Sequence, residues 1–100
     1  MLLMVLVSAM AADQASAEDA AEGEALYQEV CRNCHGPSGR GLASFPGLLG
    51  HDVDFIVSRL ETYRAGETVG GNSALMMPVA AELSDEEIAN LAAYITEDLN

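Results

Sequence analysis

The segment CRNCH, residues 31–35, constrains the fold of this 100-residue chain more than any other feature, because it contains the only two cysteines. Two thiols at this spacing near the end of a helix can reach the vinyl groups of one porphyrin, and the next residue then places an imidazole over the iron. The motif predicts one covalently bound haem c, held through Cys31 and Cys34, with His35 as an iron ligand. A bound cofactor also suits so short a chain, whose protein core is small.

Other uses of two closely spaced cysteines fit the chain less well. A redox C-x-x-C motif has no need of the adjacent histidine and is expected near a βαβ pattern, which the sequence lacks. A structural zinc site needs four ligands, and the spacing of Cys31, Cys34, His35 and His51 matches no common zinc finger. A disulfide between the cysteines would close too small a loop to stabilise the fold appreciably.

Residues 1–17 have the character of a leader segment. Residues 1–7 are almost wholly apolar, and small residues follow, as in a secretory signal peptide with cleavage sites after Ala11 or Ala17. We expect cleavage after Ala17, a single folded domain over residues 18–100, export to the periplasm and no stable membrane insertion afterwards, since the apolar stretch is short. The usual basic N-terminal region is missing, so either the true start lies upstream or the segment is a disordered apolar tail.

The charge balance is strongly acidic, with sixteen acids, four arginines, no lysine and a net charge of −12. Binding to nucleic acid or to an anionic membrane is disfavoured, because both need basic side chains. A basic docking partner is one explanation of the acidity, and simple solubility is the other.

Helical periodicity separated by glycine-rich stretches predicts three helices and no strand, so we expect an all-α domain. The first helix covers residues 19–31, the second covers 52–65 with Asp52 as N-cap, and the third starts at a capping box between Ser84 and Glu87. Residues 36–50 and 67–78 are expected loops. The apolar faces are Gly23, Leu26, Tyr27 and Val30, then Phe55, Ile56, Leu60 and Tyr63, then Ile88, Leu91, Ala92, Ile95 and Leu99.

A second axial position on the iron has three candidate ligands, which are Met76, Met77 and His51. Both methionines lie in the expected second loop, away from any helical stripe, and a thioether is a soft ligand that favours ferrous iron. Adjacent methionines otherwise fill cores. His51 is interpreted as a surface or capping residue, and spacing alone does not choose between the methionines.

Over residues 20–99 the chain resembles the small bacterial class I cytochromes c, including the haem domains of dihaem periplasmic cytochromes. The segments that carry the resemblance are GEALYQEVCRNCHG, FPGLLG, FIVSRLETYRAG and LMMPVAAELSDEEIANLAAYI, in that order. The resemblance implies a class I cytochrome c fold, with three main helices and loops wrapped around one covalent haem. It also implies that the terminal helices cross near Gly23, with Tyr27, Leu91 and Tyr94 at the crossing.

The resemblance also bears on the iron ligands. The axial methionine of the family usually stands seven residues before the leucine that precedes the capping serine, here Leu83, which selects Met76. Met77 stays an alternative because it directly precedes a proline, as is also common in the family. Pro46 matches the proline whose carbonyl accepts a hydrogen bond from the proximal histidine; from the residues alone it would be a loop breaker.

Tyr63 and Arg64 are predicted neighbours of a haem propionate, because guanidinium groups pair well with carboxylates. A core tyrosine and a surface arginine are the alternatives, and Arg40 has a weaker claim.

We expect an electron carrier rather than an enzyme, in which His35 and Met76 stay bound while the iron cycles between ferric and ferrous states. Its partners would be redox proteins that meet it transiently, either basic proteins or a flavoprotein. One alternative is the cytochrome subunit of a flavocytochrome c sulfide dehydrogenase. The other is a ligand-binding haem sensor with the methionine detached.

Overall fold

The computed structural model describes residues 19–99 of the protein. The predicted leader and its cleavage site lie outside the described residues. The elements, in chain order, are helix α1 (Ala20–Leu26), the π-helical turn π1 (Tyr27–Cys31), α2 (Arg32–His35), α3 (Val53–Arg64), α4 (Ser73–Ala81), α5 (Asp85–Ala93) and the π-helical turn π2 (Tyr94–Asp98).

The N-terminal helical rod runs without interruption through α1, π1 and α2. It begins at the N-cap Asp19, whose carboxylate accepts hydrogen bonds from the backbone amides of Ala21 and Glu22 at 3.0 and 3.1 Å. It ends where Gly36 adopts a positive φ of 86°, a backbone conformation that glycine reaches at little cost. The rod is therefore four residues longer than the predicted helix over 19–31, and the extra turn holds Cys34 and His35.

The start of α5 confirms the predicted capping box. The Ser84 hydroxyl accepts from the Glu87 amide at 3.1 Å, and the Glu87 carboxylate accepts from the Ser84 amide at 2.9 Å. All members of the predicted apolar stripe of this helix are buried, namely Ile88, Leu91, Ala92, Ile95 and Leu99. The stripe continues through π2 to the last described residue.

The N-terminal rod and the C-terminal helix cross at Gly23, as predicted. A Cβ on Gly23 would overlap the main-chain carbonyl oxygen of Asn90, so only glycine permits this approach. Next to the crossing, the rings of Tyr27 and Tyr94 pack with centroids 5.4 Å apart and tilted by 55°. This crossing is the centre of the core, in which Tyr27, Ile88 and Leu91 are the largest fully buried side chains.

Helix α4 corrects the prediction that residues 67–78 form a loop. Both methionines and Pro78 lie inside this helix, which packs against α3. Its start is fixed by the Ser73 hydroxyl, which accepts hydrogen bonds from the amides of Val69 at 2.9 Å and Gly70 at 2.8 Å. Pro78 is the sixth residue of this helix and removes one backbone hydrogen bond, so packing against α3 has to offset its cost.

The all-α class is confirmed for residues 19–99, where the only β-type pairing is an isolated bridge between Leu42 and Phe45. No helix in this part of the chain is long and apolar enough to span a bilayer.

Candidate haem-binding site

A cavity of about 480 Å³ lies between the CRNCH segment, the loop over residues 36–50 and helices α3 and α4. Its volume lies in the range of cofactor and ligand sites. Its walls are mostly apolar, and Ile56, Leu60, Leu91 and Ile95 connect them to the core. Of the residues predicted for the site, it brings together Cys31, Cys34, His35, Pro46, Tyr63 and Met76.

The two cysteines enter the cavity from the end of the N-terminal rod, where Cys31 closes π1 and Cys34 lies in α2. Both side chains are half-buried. Burial raises the pKa of the Cys31 thiol to about 11, and the nearby Cys34 adds to the shift by electrostatic repulsion. Cys31 is therefore a neutral thiol near pH 7 rather than a reactive thiolate.

His35 is 7% exposed and has a fixed ring orientation. Its Nδ1 donates a hydrogen bond to the main-chain carbonyl of Pro46 at 2.8 Å. Because a carbonyl oxygen only accepts, the proton of the neutral ring is on Nδ1, and Nε2 keeps the lone pair. This is the tautomer that a metal-binding histidine has when its second nitrogen is anchored by the protein.

The loop that presents the Pro46 carbonyl is held by its own backbone. The Gly41 amide donates to the His35 carbonyl at 2.9 Å, and the Leu48 amide donates to the Gly39 carbonyl at 2.7 Å. Gly41 has a φ of 91°, and a Cβ there would lie 2.6 Å from the carbonyl oxygen of Phe45. The loop is thus tied to the histidine at both His35 Nδ1 and His35 O.

The three candidate sixth ligands occupy different positions. Met76 is half-buried, lines the cavity and packs against the core. Met77 is one position further round α4 and is not among the described residues that line the cavity. His51 is exposed at the cavity wall, where its ring stacks on Phe55 with centroids 4.1 Å apart and planes 15° from parallel.

The structure separates Tyr63 from Arg64. Tyr63 lines the cavity, whereas Arg64 is directed to the start of α5, where it pairs with the Asp85 carboxylate at 2.7 Å and donates to the Leu83 carbonyl at 3.2 Å. Consecutive helix positions differ by about 100° around the axis, so Arg64 is rotated away from the direction in which Tyr63 points. The structure therefore does not bring Arg64 to the predicted propionate site.

Phe55 and Arg59 are cavity residues that the sequence did not predict for the site. Phe55 was predicted to belong to the apolar stripe, but it is 37% exposed on the cavity wall. Arg59 drew no attention, although it also lines the cavity, with its guanidinium carbon 5.0 Å from the centroid of the Phe55 ring. The spacing of four between residues 55, 59 and 63 was the available signal, since it places them along one face of α3.

The donor set fits a covalent haem better than the alternatives. The cavity offers two thiols, one imidazole nitrogen with a lone pair, a thioether and apolar walls that suit a macrocycle. A zinc ion would need a cluster of histidine, cysteine or acidic ligands, and no group of three such side chains occurs within residues 19–99.

Comparisons with known proteins give the family. Residues 18–95 match the family model described as cytochrome c oxidase, cbb3-type, subunit III. Cytochrome c-554(548) of Halomonas halodenitrificans is 48% identical over 79 residues, which are 78% of this chain and 94% of that protein. Cytochrome c4 of Pseudomonas aeruginosa is 36% identical over 86 residues, which are 75% of this chain and 43% of that protein.

A solved structure extends the similarity to the fold. The cytochrome c4 of Acidithiobacillus ferrooxidans superposes with a TM-score of 0.69 at 27% identity, over 80% of this chain and 51% of that one. The chain thus spans nearly all of one relative and about half of the cytochromes c4. With the cavity and the CRNCH segment, these similarities establish that the chain belongs to this cytochrome c family, as a small class I domain that carries one covalent haem c and transfers electrons.

Proposed function

We propose that this cytochrome is a periplasmic carrier of single electrons whose haem iron is bound axially by His35 and Met76. The observation that supports it best is the composition of the cavity wall. It includes the His35 imidazole, whose Nε2 keeps a lone pair, and the side chain of Met76, but not that of Met77.

When bound, the haem supplies a one-electron couple between ferric and ferrous iron. Met76 would favour the ferrous state, because a soft thioether stabilises the softer ion and raises the reduction potential. His35 would donate electron density to the iron more strongly than an imidazole without this hydrogen bond, because its Nδ1 proton is bound by the Pro46 carbonyl. With both axial positions filled, no coordination site is left for a substrate, which suits a carrier rather than an enzyme.

The surface around the cavity mouth supports transient docking of redox proteins there. Among residues 19–99, the large apolar side chains that are exposed are Leu42, Phe55, Val69 and Leu75, between 37% and 57% exposed. Three of them line the cavity, and no acidic side chain among the described residues does. A partner with an apolar contact centre and basic residues around it would complement this mouth on a molecule with a net charge of −12.

Two leucine variants test the choice of sulfur. Met76→Leu removes the ligand but keeps an apolar side chain of similar volume, and Met77→Leu is the matched control on the neighbouring position. We expect only Met76→Leu to lose the far-red ferric band that reports methionine–iron ligation, to lower the reduction potential and to bind carbon monoxide in the ferrous form. Loss of the band in Met77→Leu alone would transfer the assignment to Met77, retention in both variants would mean that either methionine can bind the iron, and absence of the band from the wild type would rule out methionine ligation.

Cell fractionation tests the location. The full chain, expressed with a cytochrome c maturation system, should yield haem-bearing protein in the periplasmic fraction. Its mass should be that of a chain whose first residue is Glu18. Haem-free protein of uncleaved mass in the cytoplasm would contradict export through residues 1–17.

A further inference from the structure

Arg59 is the only arginine that lines the cavity within the described part of the chain. Its position is unusual for a cation in a protein with sixteen acidic residues and four arginines. The ion pairs among residues 19–99 belong to Arg64, which has Glu61 and Asp85 as partners, and Arg59 has no such pair. Its neighbours three and four positions away on α3 include Phe55, Ile56 and Tyr63, and none of them is acidic.

The ring of Phe55 gives Arg59 a platform. The guanidinium carbon lies 5.0 Å from the ring centroid, within the range of a cation–π contact. His51 stacks on the same ring with centroids 4.1 Å apart. This arrangement restrains the guanidinium on the cavity wall, where less water screens its charge than at an open surface.

A cation that is partly removed from water in a mostly apolar cavity is costly unless it is paired. The molecule that fills the cavity is therefore expected to provide an anionic group. The haem is the occupant that the family assignment supplies, and its only anionic groups are its propionate carboxylates. A planar guanidinium with a fork of donors is the side chain best suited to a carboxylate.

We propose that Arg59, restrained by the Phe55 ring, binds a carboxylate of the haem and thereby raises the reduction potential. The sign follows from charge: the ferrous site carries one positive charge less than the ferric site, and a carboxylate left without its cation opposes the added electron. Arg59 is a positioning and charge-compensating residue in this role. The proposal rests on the covalent haem alone and holds whichever methionine is bound to the iron.

Redox titration of four haem-loaded variants tests the proposal. Arg59→Gln removes the charge, and Arg59→Lys keeps it. Arg40→Gln is the matched control, because it makes the same charge change at an exposed residue that does not line the cavity. Phe55→Leu removes the platform and keeps the cation.

We expect Arg59→Gln to lower the equilibrium constant for reduction of the haem roughly threefold to tenfold. This corresponds to a reduction potential that is lower by about 28 to 59 mV for one electron. Arg59→Lys should recover most of the wild-type value, Arg40→Gln should differ little from wild type, and Phe55→Leu should fall between. Equal shifts in Arg59→Gln and Arg40→Gln, or no rescue by lysine, would overturn the proposal. An unchanged methionine–iron band in all four variants would show that methionine ligation is independent of that outcome.

Discussion

The main-chain carbonyl of Asn90 lies where a Cβ on Gly23 would have to be, so the two terminal helices touch backbone to backbone. Gly23→Ala must push them apart, and overpacking of this kind outweighs the higher helix propensity of alanine. We predict a loss of about 2 kcal/mol in the free energy of unfolding, measured by urea denaturation. Gly70→Ala is the control, because no atom lies within 4 Å of its added Cβ and its φ is not positive; equal losses in the two variants would contradict the prediction.

Gly41 determines the course of the loop that carries the Pro46 carbonyl to His35. Gly41→Ala meets both a φ of 91° and the Phe45 carbonyl oxygen at 2.6 Å, so the loop must move. We predict a loss of about 2 to 3 kcal/mol in unfolding free energy. The reduction potential should also change, because the hydrogen bond on His35 Nδ1 is disturbed. A destabilised variant with an unaltered potential would mean that this hydrogen bond does not influence the iron.

Tyr27 makes stability fall at alkaline pH. Its hydroxyl donates to the Gly36 carbonyl at 2.7 Å in the core, and burial raises its pKa from 10.0 to about 12, with smaller contributions from repulsion by Cys31, before the haem is attached, and by Tyr94. Above pH 10 the unfolded chain therefore releases a proton that the folded protein keeps. Stability should decline between pH 10 and 12 by up to about 1.4 kcal/mol per pH unit from this group.

Tyr27→Phe isolates that contribution. At pH 7 the variant should be about 1 kcal/mol less stable, because it lacks the hydrogen bond to Gly36. Above pH 10 the difference from wild type should shrink, as the variant has no hydroxyl to ionise. Denaturation curves at pH 7, 9, 10 and 11 measure it, and a constant difference across this range would disprove the raised pKa.

We predict that Arg64 contributes to stability and not to the redox site. It joins the end of α3 to the start of α5 through the Leu83 carbonyl and Asp85, whose side chain is 87% exposed. Since the exposed ion pair adds little, Arg64→Gln should cost about 1 kcal/mol, chiefly from the bond to Leu83. The reduction potential should stay at the wild-type value, and a shift as large as that of Arg59→Gln would place Arg64 at the haem after all.

The features that local sequence determines were predictable. The capping box of Ser84 and Glu87 is complete within four residues, so its geometry follows from the backbone of one helix turn. The crossing at Gly23 was predictable for a different reason. Glycine lowers the stability of a helix, so a glycine on an apolar face indicates that another helix approaches closely there.

Helix α4 was not predictable, because local signals point against it. Gly70, Gly71 and Pro78 are helix breakers, and the side chain of the N-cap residue Asn72 makes no capping hydrogen bond to the helix. The helix depends instead on packing against α3 and on the Ser73 hydroxyl, which are contacts that periodicity does not report. The places of Arg59 and Phe55 at the cavity were not predictable for a related reason. Both lie on the part of α3 that lines the cavity, and helical periodicity does not distinguish such residues from those packed in the core.

The most direct test of ligation by His35 and Met76 in a one-electron carrier is a redox titration of the mature haem protein followed by its optical spectrum. We predict a single one-electron transition, with the methionine–iron band present in the oxidised form and no binding of carbon monoxide by the reduced form. A reduced protein that binds carbon monoxide readily, with no such band in the oxidised form, would contradict it.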